Sequence, residues 1–160
     1  MGTDRPVFCH QASLGGLPLP GTWVPGITSF LQLMTESFDV KCVILHGSYA
    51  TGKWIPGSDV DLVVIADGLP RRFLDRLRAL SDLAPRGVPV EVLAYTPEEF
   101  SGMLEDMHVT ALDATSRGIP LVGPEFFAVL RARLDEMIAR GLRRGKTSWY
   151  WETKGRGVCE

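Results

Sequence analysis

The chain of 160 residues lacks the features that mark several protein classes. Its three cysteines, Cys9, Cys42 and Cys159, are far apart and form neither a C-x-x-C pair nor a disulfide framework. It has no apolar run of about 18 residues, so we expect no membrane span, and it has no internal repeats. The first residues lack a basic-then-apolar leader, so we expect no secretory signal and a reducing, cytoplasmic setting.

The composition that is present suits one compact domain. Apolar residues make up 45% of the chain and charged residues 22%, which is enough to fill a core and cover a surface. The net charge is −2, but residues 140–160 hold six basic and two acidic side chains. We expect an irregular Gly- and Pro-rich arm over residues 1–25, a domain over 26–142 and a basic, aromatic tail over 143–160.

Short β-rich runs alternate with amphipathic helical patterns, which predicts an α/β chain. The expected strands cover residues 41–45, 59–66, 88–95 and 119–122. The expected helices cover residues 25–38, 70–83, 96–107, a following stretch to 117, and 123–141.

The most informative stretch is residues 43–65, which read VILHGSYATGKWIPGSDVDLVVI. Asp59 and Asp61 stand at the front edge of a β run, where propensity disfavours acidic residues. At i and i+2 on a strand, two carboxylates point to the same side with Cα atoms about 6.6 Å apart. They repel each other unless a cation lies between them, and their oxygens suit Mg²⁺ or Mn²⁺. The pair therefore predicts a metal site.

Gly47 and Ser48 follow the first predicted strand. A glycine there lets the backbone approach a ligand closely. If Ser48 begins a short helix, its free N–H groups can hold a phosphate oxygen. A phosphate cradle that faces a carboxylate pair, with a metal between them, is typical of a phosphoryl-transfer site.

Two features next to this motif admit other interpretations. Residues 47–53 fit the start of a P-loop, but Trp54 stands where that motif needs Ser or Thr. Pro56 also follows too soon for the long P-loop helix. His46 ends the first strand and is expected either near the site or as a hydrogen-bonded core histidine.

The sequence GSYATG at 47–52, followed after five residues by SDVDL at 58–62, resembles the signature of the minimal nucleotidyltransferases. This family belongs to the DNA polymerase β-like superfamily, and the resemblance covers residues 40–96. It implies a small mixed, twisted sheet with flanking helices, α/β or α+β in class. It also implies a Mg²⁺- or Mn²⁺-dependent enzyme that transfers a nucleoside monophosphate, AMP from ATP, to an acceptor hydroxyl. Thr51 departs from the pattern, because many members have a basic residue there.

In this family a third acidic residue lies on a neighbouring strand. Glu91 is the only acidic residue inside the third β run, and between Val90 and Val92 it points away from both. Resemblance and pattern therefore select Glu91, with Asp59 and Asp61, as the catalytic and metal-binding residues. The resemblance implies two metal ions and a role for Glu91 as base toward the acceptor. The alternative is an exposed residue on an edge strand.

Gly47 and Ser48 are expected to steady the phosphates of the nucleoside triphosphate. Minimal nucleotidyltransferases are often paired with a small helical HEPN-type RNase in a toxin–antitoxin system. The chain is therefore expected either to modify a partner enzymatically or, as a binding module, to neutralise such a toxin by complex formation. The tail carries cations and the aromatic run 149–151, which suits RNA, a protein partner or packing back onto the domain.

Overall fold

The structure is a computed structural model that describes Leu14 and residues 16–153. The helices are α1 (Val24–Ser37), α2 (Gly47–Thr51), α3 (Phe73–Ser81), α4 (Pro97–Glu105), α5 (Val109–Arg117) and α6 (Pro124–Ala139). The strands are β1 (Asp39–His46), β2 (Val60–Asp67), β3 (Val90–Tyr95), β4 (Ile119–Val122), β5 (Leu142–Arg144) and β6 (Trp149–Trp151).

Four strands form one mixed sheet in the order β3-β2-β1-β4. Strand β1 runs antiparallel to β2 and β4, while β2 and β3 are parallel. Strands β5 and β6 pair separately as an antiparallel hairpin. The small mixed sheet with flanking helices that was predicted from the sequence is confirmed.

The two faces of the sheet carry separate apolar clusters. One cluster joins α1 to one face of β1 and β2, and its sheet residues include Val43, Leu45, Leu62 and Val64. The other joins α4, α5 and α6 to the opposite face, and its sheet residues include Cys42, Ile44, Val63 and Ile65. We call this second side the α4–α6 face. Strand β2 is covered on both sides, which explains why its apolar residues form a nearly continuous run.

Strands β2 and β3 both begin later than predicted. Strand β2 begins at Val60, because a turn keeps the preceding residues out of the sheet. The Ser58 hydroxyl accepts a hydrogen bond from the Ile55 N–H at 2.9 Å, so Asp59 lies in the loop. Strand β3 begins at Val90, one residue after Pro89, which has no N–H to donate to a ladder.

Helix α3 buries Leu80 completely and, beside it, an arginine. Phe73 is 39% exposed, whereas Arg76 is only 5% exposed. The Arg76 guanidinium donates to the carbonyl oxygens of Pro70 and Arg71 and to both carboxylate oxygens of Glu99. These bonds satisfy the buried charge of Arg76. The helix itself begins at Phe73, later than the predicted residue 70.

The chain ends are described only in part. Leu14 and Leu19 of the predicted arm are buried in the cluster that contains α1. Residues 1–13, 15 and 154–160 lie outside the described residues, and so do Cys9 and Cys159. Among the described helices, none combines the length and the apolar character needed to cross a bilayer. The division into arm, domain and tail stays a prediction.

Candidate active site

Asp61 and Glu91 are the paired residues at the start of the parallel strands β2 and β3. Strand alternation places Asp61 on the α4–α6 face, with Val63 and Ile65. Burial, the charge of Glu91 and a hydrogen bond to Glu91 together raise the pKa of Asp61 to about 6, with burial the largest cause. The two carboxyl groups are therefore close enough that a proton or another cation between them stabilises the pair.

Asp59 is the predicted site residue that does not join this pair. It lies in the loop before β2 and is exposed. Its charge still contributes to the raised pKa of Asp61. Within Leu14 and residues 16–153, no three His, Cys, Asp or Glu side chains converge closely enough to hold a metal ion. Because like charges repel, moving Asp59 onto the pair requires a cation.

Gly47 lies directly against the Asp61 carboxylate. Its φ is +70°, a conformation that favours glycine, and a Cβ atom at this position would overlap Asp61 Oδ2. The sequence indicated that this glycine gives room to a ligand. In the structure the group that needs the room is the carboxylate itself.

Ser48 is half-buried in α2, a helix of five residues that ends at Gly52 in the left-handed conformation. Thr51 turns its hydroxyl back onto this helix and donates to the Gly47 carbonyl oxygen at 3.1 Å. The motif of residues 47–52 thus offers backbone and hydroxyl groups but no cation.

His46 stands opposite Asp61 in the antiparallel pairing of β1 and β2. The side chains of Glu91, Asp61 and His46 therefore follow one another across three strands on one face of the sheet. Burial lowers the pKa of His46, while the charges of Asp113 and Glu91 act in the opposite direction. The lowered pKa favours a neutral imidazole at neutral pH.

Asp113 of α5 is a neighbour of this row that the sequence did not reveal. One of its oxygens, Oδ1, accepts hydrogen bonds from Arg144 Nε at 3.1 Å and from Trp149 Nε1 at 2.9 Å. In the sequence Asp113 reads as one polar position in an amphipathic helix. Its partners lie more than 30 residues away, so no local pattern links them.

Residues 27–112, more than half of the chain, match the family described as the nucleotidyltransferase domain. The chain belongs to this family. The matched residues include Gly47, Asp59, Asp61 and Glu91, and they end just before Asp113. The nucleotidyltransferase superfamily that was predicted from the sequence is confirmed.

One relative is a protein of Methanocaldococcus jannaschii, MJ1305, named as a candidate protein adenylyltransferase. It is 37% identical over 82 residues, which cover 47% of this chain and 56% of the relative. The nucleotidyltransferase chain thus spans about half the length of this curated relative.

Two solved structures are distantly similar. One is a toxin–antitoxin with AMP-PNP, at 16% identity and a TM-score of 0.48, which covers 69% of this chain and 85% of that chain. The other is a mutant of the toxin–antitoxin MntA–HpeT, at 16% identity and a TM-score of 0.45, which covers 71% and 83%. Likenesses of this strength establish no shared ligand or partner.

Proposed function

We propose that this nucleotidyltransferase transfers a nucleoside monophosphate, AMP from ATP, to a hydroxyl group of an acceptor protein in a Mg²⁺-dependent reaction. The observation that carries the proposal is the Asp61–Glu91 carboxylate pair beside Gly47, in a chain of this family. The name of the Methanocaldococcus jannaschii relative supports a protein as acceptor.

The residues at the pair fit a divalent cation. Carboxylate oxygens are the ligands that Mg²⁺ and Mn²⁺ prefer. The raised pKa of Asp61, about 6, marks a place where added positive charge stabilises the ionised form. Asp61 and Glu91 would hold the ion, and Asp59 would complete the set from its loop. When bound, the ion neutralises phosphate charge and lowers the pKa of a nearby hydroxyl.

The chain's own groups have separate roles in the proposed reaction. The acceptor oxygen forms a bond to the α-phosphorus, the bond from that phosphorus to the β-phosphate bridging oxygen breaks, and pyrophosphate leaves. Glu91, which is exposed at the start of the edge strand, accepts the proton of the acceptor hydroxyl. Ser48 and the backbone that follows Gly47 steady the outer phosphates of the nucleotide.

The test is label transfer from ATP. The protein is incubated with Mg²⁺, candidate partner proteins and ATP that is labelled either at the α- or at the γ-phosphate. Transfer of the α-label alone supports nucleotidyl transfer. Transfer of the γ-label would show a kinase instead, and transfer of neither label to any protein, peptide or RNA acceptor would contradict the proposal.

Matched variants connect this activity to the site. Asp61→Asn and Glu91→Gln keep the side-chain shape but remove the charge, and each should lower the rate at least about 100-fold. Asp67→Asn changes the same strand at its other end, opposite Asp39, and should leave the rate unchanged. Equal rates for the Asp61 and Asp67 variants would exclude the pair as the catalytic centre.

A binding module is a second candidate, and the exposed aromatic residues of the β5–β6 hairpin favour it. Tyr150 is 51% exposed and Trp151 is 44% exposed. Tyr and Trp are frequent anchors of protein interfaces. In this case the chain would neutralise a HEPN-type RNase by contact alone. A stable complex without label transfer, lost in Tyr150→Ala with Trp151→Ala, would support the module over the enzyme. The RNA contact expected of the tail stays a prediction.

A further inference from the structure

The β5–β6 hairpin lies beyond the residues that match the family, which end at residue 112. It is nevertheless fixed beside the candidate site. Arg144 and Trp149 are paired across the hairpin, and both donate to the same oxygen of Asp113. Leu142 is fully buried in the apolar cluster of the α4–α6 face. The hairpin is thus held both by its apolar base and by one carboxylate.

Asp113 connects this hairpin to the row of site residues. Its helix, α5, contacts both α2 and β1, the two elements that meet at Gly47. The charge of Asp113 reaches His46, which stands opposite Asp61. Asp113, and with it the bound Arg144, therefore lies on the side of the site where His46 follows Asp61 and Glu91.

The candidate site has an excess of negative charge, which a cation on the His46 side would reduce. Asp59, Asp61 and Glu91 are acidic, and a nucleoside triphosphate brings further negative charge. Thr51 supplies no cation, and its hydroxyl donates to the Gly47 carbonyl oxygen. Besides the metal ion, positive charge from outside the motif would therefore stabilise the bound phosphates.

Arg144 is the cation that the hairpin brings to Asp113. Its Nε is bound to Asp113, and its Nη1 donates to the Gly145 carbonyl oxygen at 3.3 Å. Its Nη2 makes no hydrogen bond to any residue in the described range of 14 and 16–153. The side chain is 26% exposed, so a ligand can reach it while Asp113 holds it in place. A guanidinium held in this way can donate to a phosphate with charge assistance.

We propose that Arg144 binds the polyphosphate of the nucleotide, so that the hairpin replaces the cation that the motif lacks. This inference rests on the proposed function, because it names a contact of the same substrate. It makes the hairpin a part of the nucleotide site that belongs to this chain rather than to the residues shared with the family.

The test measures ATP affinity of the full chain by calorimetry in the presence of Mg²⁺. Losing one charge-assisted hydrogen bond should weaken ATP binding about tenfold in Arg144→Gln. Arg144→Lys, which keeps the charge, should recover part of that affinity. Adenosine, which has no phosphate, should bind the wild type and Arg144→Gln equally.

Arg143→Gln is the matched control. Arg143 is the preceding residue of the same strand, and its guanidinium is bound to Glu152 and to the Ile138 carbonyl oxygen. This variant should bind ATP like the wild type. If Arg144→Gln and Arg143→Gln bind ATP equally tightly, the inference is wrong while the proposed function stands. If the wild type itself does not bind ATP, the proposed function fails first.

A measurement on the unmodified protein covers the case in which Arg144→Gln does not fold. Amide hydrogen exchange over residues 142–151 should slow when ATP and Mg²⁺ are added and should not change with adenosine. Exchange that is the same with and without ATP, in protein shown by calorimetry to have bound ATP, would overturn the assignment of Arg144.

Discussion

Among single residues, Asp61 carries an electrostatic cost that has a defined pH dependence. Its pKa is 3.8 in the unfolded reference and about 6 in the folded protein. The folded state therefore holds this proton more tightly than the unfolded state does. The stability that this group contributes is fully present below about pH 4 and is lost as the pH rises from about 4 to about 6.

We predict that Asp61→Asn stabilises the protein above pH 6 in the absence of divalent ions. The side chain is only half-buried, so solvent screens part of the effect, and we expect a gain of about 1 kcal/mol. At pH 4, where Asp61 is protonated, the gain should disappear. Urea denaturation at pH 7.5 and pH 4 measures both values, with Asp67→Asn as the control. A gain that is equal at the two pH values would contradict the account of Asp61.

Gly47 and Gly52 separate two effects of a glycine substitution. Both have positive φ angles, +70° and +72°, but a Cβ atom at Gly52 meets no atom within 4 Å. Gly52→Ala should therefore cost only the conformational penalty of about 1 kcal/mol. Gly47→Ala should cost clearly more, because its methyl group overlaps Asp61 Oδ2.

The double variant tests this explanation. In an Asp61→Gly background the overlapping carboxylate is gone, so Gly47→Ala should cost about the same as Gly52→Ala. Urea denaturation measures the free energy of unfolding of Gly52→Ala, Gly47→Ala, Asp61→Gly and the double variant. Equal costs for the two alanine variants in the wild-type background would show that Asp61 does not crowd Gly47.

Asp61, Glu91 and Gly47 could be selected from the sequence as site residues because each depends on a pattern of neighbouring residues. Strand alternation decides which side an acidic residue faces, and a glycine after a strand indicates a close approach. Asp59 was placed on the strand because the hydrogen bond between Ile55 and Ser58, which ends the loop, is not visible in the composition of the turn. Local sequence patterns were therefore enough to select the strand residues of the site, but not to place Asp59 in the loop.

Between elements, a buried arginine joins helix α3 to helix α4. Arg76 is 5% exposed, and it donates to Glu99 at 2.6 Å and 3.0 Å. Glu99 also accepts from the Thr96 N–H at 2.9 Å, which completes the capping box of α4. The Glu99 carboxylate thus both caps the start of α4 and neutralises the buried charge of Arg76.

We predict that Glu99→Gln lowers the free energy of unfolding by about 2 kcal/mol, because it leaves Arg76 buried without its counter-charge. This value is below that of a fully buried pair, since Glu99 is partly exposed and solvent screens it. Arg76 lowers the pKa of Glu99, so the loss should shrink as the pH falls through that lowered pKa. Glu105→Gln, which breaks an exposed pair with Arg133, is the control and should cost much less. Equal losses would contradict the role of burial.

Secondary structure was predictable where a signal is local and strong. The helix expected from residue 96 is present, and Thr96 and Glu99 form a capping box at its start. The β5–β6 hairpin was not predicted, because each strand has three residues, too few to show a period of two. Its stability comes from Leu142 in the core and from the bonds to Asp113, which are tertiary contacts.

In the whole molecule, strand order brings together the residues on which the proposal depends. Asp61 and Glu91 are 30 positions apart in the chain but adjacent in the sheet, because β3 pairs in parallel with β2. Sequence alone selected both residues, yet their adjacency depends on this register. A shift of one residue in β3 would turn Glu91 to the opposite face of the sheet.

The most direct test of the carboxylate pair is a titration of the protein with Mn²⁺, followed by electron paramagnetic resonance, at pH 7.5. The account predicts that the wild type and Asp67→Asn bind the ion with the same affinity. It also predicts that Asp61→Asn and Glu91→Gln each bind at least about tenfold more weakly. Wild-type affinity in either of these two variants would contradict the claim that the pair holds the ion.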